Sequence, residues 1–463
     1  MRRLSVIIVF VLVFSSLLTA VHAKAAESLP VEDYVTEFKQ RTKCEAVSVV
    51  VHDAGELAYY GDVDKSALYQ IGSMTKAFTG LGAMKLVSEG RLSLESRVSD
   101  YIPGFEVYFE GERVDILIRD LLTQTSGFTN AEKVYPSATK DMTLSMWVES
   151  ISGKRLAYRP GEQYAYSNVN YNLLGALIET VSGKSYKDYM EEEILKPLGL
   201  NHTFVGFPAE EQNIIDGTRL GYRRVHAFKT DVKEGAIPAG YFYSTIEDMG
   251  RWLMIWGGVA DIPKEYRQVI EKIRQTLAQD ADCFAGWETF GSGDIGHSGG
   301  TSGYSSRIVY SAESPAGVCV LTNLNVAAST DRLCNDIYAE LTGETPAGFV
   351  SDVWTIFDII FTGLTLLGLL VLFLGIYGRR HTRVLIIFDA VVTTLLISML
   401  VILPIIFQAS LHELLFVWAP WSMSGGMLVL ALDVVILTIM TGMWKKHENR
   451  NKKSGKPAVN RYC

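Results

Sequence analysis

The sequence predicts an α+β protein: an antiparallel sheet flanked by helices, with a helical subdomain beside it, followed by three transmembrane helices. Three observations predict this. Strand-like runs fall at both ends of the region from about residue 29 to residue 345, and helical stretches lie between them. Strands contributed by both ends of a domain, with helices inserted between, point to one sheet closed by the two ends. Beyond that region, three apolar segments each reach or exceed the roughly 20 residues a helix needs to cross a bilayer.

The chain has 463 residues and a mean hydropathy of +0.16, high for a soluble protein, and the apolar excess sits at the two ends. At the start, "MRRLSVIIVFVLVFSSLLTAVHAKAAESLP" has Arg2 and Arg3, an apolar run to about Leu18, and then small residues at Ala20, Ala23 and Ala25. This is the layout of a secretory signal peptide over residues 1–23, cleaved after Ala23 or Ala25. An uncleaved anchor is the alternative, and either one exports the region after it. An extracytoplasmic domain is therefore expected over residues 24–345, a membrane domain over 346–444 and a basic cytoplasmic tail over 445–463.

Within the exported region, "VEDYVTEFKQRTK" reads as an amphipathic helix and "AVSVVVHDAGELAYYG" as a hairpin turning at Ala54-Gly55. Helical patterns dominate from Ser73 to about Trp256, including "YNLLGALIETVSG" and "IEDMGRWLMIWG". Strands return in "SSRIVYS" and "GVCVLTNLN", followed by a last helix from about Ser329 to Leu341. A cleft between sheet and helical part is the default place for a site.

The spans are expected at Trp354 to Tyr377, Val384 to Phe407, and from Leu414 or Met423 to Trp444. "GRRHTR" after the first and "KKHENRNKK" after the third are basic, whereas "QASLHE" after the second has no Lys or Arg. The positive-inside rule then orients the chain with the large domain outside and the tail inside. Each span carries an aspartate. Asp358 and Asp389 lie near span ends, where water and headgroups are expected to reach them; Asp433 is nearer the middle and is expected to hydrogen-bond a neighbouring helix.

The net charge of −8 combines a basic loop and tail with a more acidic outer domain, and nothing suggests nucleic-acid binding. Cys44, Cys283, Cys319, Cys334 and Cys463 have no close pairing of the zinc or redox type. The first four are expected to be mostly inert buried thiols, although export permits a disulfide.

The stretch "QIGSMTKAFTG" holds either a nucleophile with its base or an ordinary helix start. Ser73 and Lys76 are three apart, so a helix beginning here sets both side chains on one face of its first turn. Ser-x-x-Lys arises by chance in a chain this long, and it recurs at Ser137 and Lys140. That second copy follows Pro136 and precedes no apolar stripe, so it reads as a loop. After Lys76, by contrast, Ala77, Leu81, Met84 and Val87 form a helical stripe that ends at "SEGRL", with Gly90 as the C-cap. A serine N-cap would prefer Glu or Gln three residues on. A lysine there meets the positive end of the helix, which is poor for stability and useful for chemistry. A positive neighbourhood and burial lower its pKa, and a neutral amine can take a hydroxyl proton.

Two further clusters join it: "PGEQYAYSNVNYNLLG", with Tyr166 two residues before Asn168 and directly ahead of a helix, and "GHSGGTSGYSS", with His297, Ser298, Gly299 and Gly300 ahead of a strand. Together with "LLTQTSGF" and "PAGYFYSTIEDMGRWL", these resemble the serine β-lactamase and penicillin-binding-protein superfamily, in its class C β-lactamase and DD-carboxypeptidase branch, over residues 31 to 342. The third motif departs from class C enzymes in having histidine where they have lysine, as in DD-carboxypeptidases, D-aminopeptidases and some esterases of the branch.

The resemblance implies a β-lactamase/transpeptidase-like fold and a serine acyl hydrolase. Ser73 would be the nucleophile, Lys76 and Tyr166 would share its proton, and Asn168 would hold Lys76 and the substrate amide. His297 would serve the carboxylate or leaving-group side. Ser73 and Gly300 would give the backbone N–H groups of the oxyanion hole, and Ser298 and Gly299 would contact substrate. No metal or organic cofactor is called for. The expected substrate is a peptidoglycan-type peptide or a related D-amino-acid amide or ester, with β-lactams as possible ligands. An esterase or weak β-lactamase, or a penicillin-recognising sensor or envelope scaffold, is the alternative.

Overall fold

The computed structural model describes residues 29–453 except 132–133, 230, 280–281, 291–292, 378–381 and 408. The expected signal peptide, Cys463 and residues 454–463 of the tail lie outside the described residues. The chain divides into two units, residues 1–219 with 227–353, and residues 220–226 with 354–463.

In the first unit, helix α1 (Val31–Thr42) precedes strands β1 (Val47–Asp53) and β2 (Glu56–Gly61). Ala54 and Gly55, both at positive φ, make the tight turn between these strands, and Asp53 pairs with Glu56. Helix α2 (Thr75–Ser88), helix α3 (Asn168–Ser182), helix α4 (Ile246–Trp256) and helix α5 (Lys264–Leu277) form the framework of the intervening region. The chain then returns through β3 (Cys283–Phe284), β4 (Trp287–Thr289), β5 (Ile295–Gly300), β6 (Ser305–Tyr310), β7 (Ala316–Thr322) and helix α6 (Ala327–Thr342).

These strands form one antiparallel sheet in the order β3-β4-β5-β6-β7-β1-β2. The two ends of the region meet where Val47 to Asp53 pair with Thr322 to Ala316. β1, β6 and β7 are buried along nearly their whole length, because α1 and α6 cover one face and α4 the other. The expected α+β architecture is therefore the one found. The sequence reading missed β3 and β4, too short to show alternation, β5, whose glycine-rich "IGHSGG" was placed ahead of a strand and not in one, and the small sheets within the helical region, such as Leu68–Gln70 with Phe242–Thr245.

An aromatic cluster locks the helices to the sheet. Phe78 of α2 stacks on Trp252 of α4 at 4.1 Å, Trp256 meets Trp287 of β4 at 4.8 Å, and Trp287 meets Tyr310 of β6 at 5.1 Å. α2 runs through this core with 11 buried residues, Lys76 among them. The apolar stripe read from the sequence is thus one side of a helix buried nearly all round, and such a helix sits inside a domain. It ends at Ser88, with Gly90 at φ +71° in the turn beyond. Ser137 and Lys140 lie outside any helix or strand. Cys44, Cys283, Cys319 and Cys334 are buried free thiols.

In the second unit, three helices among the described residues are long and apolar enough to cross a membrane: α7 (Val353–Tyr377), α8 (Thr382–Ile406) and α9 (Trp421–Lys453). Residues 220–226 pack with them as a hairpin tip. Asp358 differs from expectation: it is 0% exposed and is satisfied by protein rather than by water. It accepts hydrogen bonds from the Arg223 backbone N–H at 2.9 Å and from Ser422 Oγ at 2.7 Å, with the Arg223 guanidinium at 3.7 Å. Asp389 accepts from Thr438 Oγ1 of α9 at 2.9 Å. Asp433 also departs from expectation. It is buried beside Gly368 of α7, and neither carboxylate oxygen has a hydrogen-bond partner among the described residues.

Candidate active site

The segment before α2 begins as a strand, Leu68–Gln70, and then turns sharply. Gly72 takes φ +55°, and Gly72–Met74 form a single 3-10 turn that leads into α2. Ser73 is therefore inside the turn and does not cap the helix, whose N-cap position, Met74, makes no side-chain cap. Its backbone N–H falls among the first donors of a helical run, for which the helix itself supplies no acceptor.

One turn on, the Lys76 side chain is 0% exposed. Its Nζ lies 2.9 Å from Ser73 Oγ, 2.8 Å from Asn168 Oδ1 and 2.6 Å from the Ala239 carbonyl. Burial is the main cause that pulls its pKa down to about 7, against the opposing pull of the Glu288 carboxylate. Near neutral pH both forms exist. As an ammonium, Lys76 donates to all three oxygens. As an amine, it keeps two N–H donors for Asn168 and Ala239 and turns its lone pair toward the Ser73 hydroxyl.

Tyr166 and Asn168 sit at the start of α3, which Ser167 caps by accepting from the Val169 N–H. The Tyr166 phenol reaches Ser73, and burial raises its pKa well above the ordinary value, so it is a neutral O–H. Lys76 Nζ also lies over its ring, 4.9 Å from the centroid.

What holds this turn was not singled out in the sequence. Gln124, from "LLTQTSGF", is 1% exposed and takes the unusual φ of +59°. Its side-chain oxygen accepts from the Ser167 N–H at 3.0 Å and from the Asn170 amide, and its carbonyl accepts from Ala165 N. Asn130 accepts from the Asn168 backbone N–H at 3.0 Å. Gln124→Ala leaves two buried donors without acceptors, each of which costs about 1–3 kcal/mol. The expected result is a lower thermal midpoint together with a fall in kcat that exceeds the change in KM.

β5 supplies the third wall. His297 is 4% exposed, with its ring 6.1 Å from that of Tyr166. Its Nδ1 lies 2.6 Å from the Ser298 carbonyl, which can only accept, so Nδ1 carries the proton. Burial, the largest cause, holds its pKa below the usual range. The neutral ring then presents Nε2 as a hydrogen-bond acceptor and not as a cation.

The Ser298 hydroxyl is engaged away from the nucleophile. It donates to Asp331 Oδ2 of α6 at 3.0 Å and accepts from Arg307 Nη1 at 3.0 Å. That hydroxyl is thus already paired within the protein. Gly299 serves by having no side chain: a Cβ there would stand 2.1 Å from the Ile71 carbonyl. A Cβ at Gly72 would stand 2.6 Å from Gly300 N. The glycines thus bring the Ser73 turn and β5 backbone to backbone, which sets the Ser73 and Gly300 amides close together.

Gly299→Ala forces those backbones apart, a strain that typically costs about 1–3 kcal/mol. It is expected to lower the thermal midpoint and to cut acylation more than Gln124→Ala does, read by differential scanning calorimetry and by the rate of adduct formation.

The sheet, the inserted helices and a serine held against a buried lysine and a phenol define a serine acyl-transfer domain of the β-lactamase/transpeptidase type. Residues 31–342 match the beta-lactamase family, and the chain belongs to that family of serine hydrolases. It is 31% identical over 347 residues to protein flp of Staphylococcus aureus strain NCTC 8325 / PS 47, covering 70% of this chain and 69% of that one. It is 30% identical over 268 residues to a putative D-alanyl-D-alanine carboxypeptidase of Escherichia coli K12, covering 50% of this chain and 61% of the relative.

Among solved structures, the octameric penicillin-binding protein homologue from Pyrococcus abyssi superposes with a TM-score of 0.59 at 24% identity, covering 72% of this chain and 80% of its own. A class C beta-lactamase does so at 0.56 and 19%, covering 68% and 94%. At these identities the likeness is one of fold.

Proposed function

We propose that the chain is a membrane-tethered serine acyl hydrolase that works through an acyl-enzyme on D-amino-acid peptides of the cell wall, in the manner of a penicillin-binding protein. The observation that carries this is the contact of Ser73 Oγ with a fully buried Lys76 amine whose pKa is lowered to about 7. A lysine in that state is a base at neutral pH.

Neutral Lys76 takes the Ser73 proton as Oγ bonds to the substrate carbonyl. The oxyanion that forms is held by the Ser73 and Gly300 N–H groups. As the carbon–leaving-group bond breaks, the Tyr166 hydroxyl hands its proton to the departing nitrogen or oxygen and is reprotonated from Lys76. Water then repeats the sequence against the acyl-enzyme, with its proton passing to Lys76 and its oxygen to the carbonyl. Ser73 regains its proton as the acid leaves. Asn168 fixes Lys76 throughout, and Nε2 of His297 accepts from a donor on the substrate.

The leader expected at residues 1–23, the three apolar helices and the basic segments beside them support tethering with this domain on the outer face. The cell-wall substrate rests on that placement and on the relative named a carboxypeptidase.

Intact mass spectrometry of the full chain in detergent tests the reading, with penicillin, a D-Ala-D-Ala peptide and a p-nitrophenyl ester. A mass gain that disappears in Ser73→Ala, with turnover of the peptide, supports it. Turnover of the ester alone makes the protein an esterase, an adduct without turnover makes it a sensor, and neither adduct nor turnover overturns the enzyme reading.

A further inference from the structure

The site holds one carboxylate that the steps above do not use. Glu288 follows the fully buried Trp287 on β4 and pairs across the ladder with Gly296, one residue before His297. The turn that leads into β4 is fixed on the nucleophile's helix: Gly286, at φ +85°, lies so close to the Lys76 backbone that a Cβ would stand 2.2 Å from it. Ala285 N also donates to the Leu122 carbonyl at 3.1 Å. The position of Glu288 is therefore set by the same elements that set Lys76.

Its ladder partner precedes His297 and its carboxylate meets Tyr164, two residues before Tyr166, which puts it beside the reaction centre, and its charge acts on Lys76, Tyr166 and His297. The Tyr164 hydroxyl donates to its Oε1 at 3.2 Å. Among the described residues it has no ion-pair partner. Lys76 is committed to three other oxygens.

A half-buried carboxylate without a cation, beside a tyrosine that is 41% exposed, has the two parts of an ammonium site: a negative charge and an aromatic face. The neighbouring group agrees with this. His297 offers an acceptor at Nε2, which suits an N–H donor and not a substrate carboxylate.

We infer that Glu288, with Tyr164, binds an alkylammonium group of the acyl substrate, so that the preferred substrates of this site are cationic amides or esters. The inference rests on the acyl-enzyme reading and narrows its substrate class. The ammonium can be the free α-amino group of the acyl residue or the end of a basic side chain, and both offer the same chemistry to Glu288.

The test compares two pairs of methyl esters on the full chain in detergent, with hydrolysis followed by acid release. D-alanine methyl ester is set against methyl propionate, and Nα-acetyl-D-lysine methyl ester against Nα-acetyl-D-norleucine methyl ester. The wild type is expected to prefer the charged member of one pair, and that pair names the source of the ammonium. Glu288→Gln is expected to lower kcat/KM for that charged ester by about 10-fold or more relative to its uncharged partner, the loss typical of a charged hydrogen-bond partner, with both esters compared on the pH plateau because removing the Glu288 charge also shifts Lys76. Glu288→Asp, which keeps the charge, retains the preference.

Equal losses on charged and uncharged esters, accompanied by a shifted pH profile, would mean that Glu288 only tunes Lys76 and would overturn the assignment. So would a wild type that shows no preference for charge while Ser73 is still acylated by penicillin. Absence of any adduct on Ser73 would overturn the acyl-enzyme reading itself, and the two failures are thus separate.

Discussion

Ser73→Ala removes covalent capture of penicillin and lowers turnover of any acyl donor by about 10⁴-fold or more, as loss of the nucleophile does in serine hydrolases. No other group can substitute for it: Lys76 and Tyr166 converge on Ser73 Oγ, and alanine leaves nothing there to carry the acyl group. The variant should fold. Ser73 is not the cap of α2, and Lys76 keeps Asn168 Oδ1 and the Ala239 carbonyl as partners. Intact mass spectrometry reads the adduct, and the thermal midpoint shows that the fold is retained. A stable variant that still forms the adduct would place the nucleophile elsewhere.

The second large effect is at Lys76. If its amine is the base, kcat/KM rises tenfold per pH unit on the acid side and levels off above the pKa, here about 7. The sign comes from the chemistry: protonation at low pH occupies the lone pair that must take the Ser73 proton. Were the Tyr166 phenolate the base, the rise would come only at strongly alkaline pH, because burial holds that phenol above its ordinary range. Lys76→Arg separates charge from basicity, since arginine keeps a cation near Ser73 and does not deprotonate in proteins. A loss of about 10²–10⁴-fold is expected. A variant that retained wild-type rates would show that positive charge alone suffices.

The legible parts of the sequence were those written by periodicity or by side-chain identity. The hairpin at Ala54-Gly55, the late strands, α6 and the apolar helices all repeat a pattern long enough to read, and Ser73, Lys76, Tyr166, Asn168 and His297 come together around one centre. What escaped was work done by the main chain or by unusual backbone angles. The Ala239 carbonyl that anchors Lys76 has no residue signature, since every residue has a carbonyl. Gln124 organises the Tyr166 turn from a left-handed conformation that a glutamine does not announce. Glu288 lies on a three-residue strand, below the length at which alternation becomes visible. Ser298 was read with its motif, but strand alternation turns its hydroxyl toward Asp331 and Arg307. Asp358 looked like a residue open to headgroups, because the hairpin that covers it comes from more than a hundred positions earlier.

The close approach between the Ser73 turn and β5 has a consequence for how such a site can diverge. In the proposed mechanism the two oxyanion donors are amides, and the approach of their backbones is set by the missing side chains of Gly72 and Gly299, so it does not depend on the identity of residue 297. The His297 ring can then be exchanged for another chemistry while these amides keep their places. On that reading the oxyanion site is built from peptide backbone and recognition from side chains, so a change of recognition at residue 297 can leave the oxyanion site intact while Ser73, Lys76 and Tyr166 keep the proton transfers.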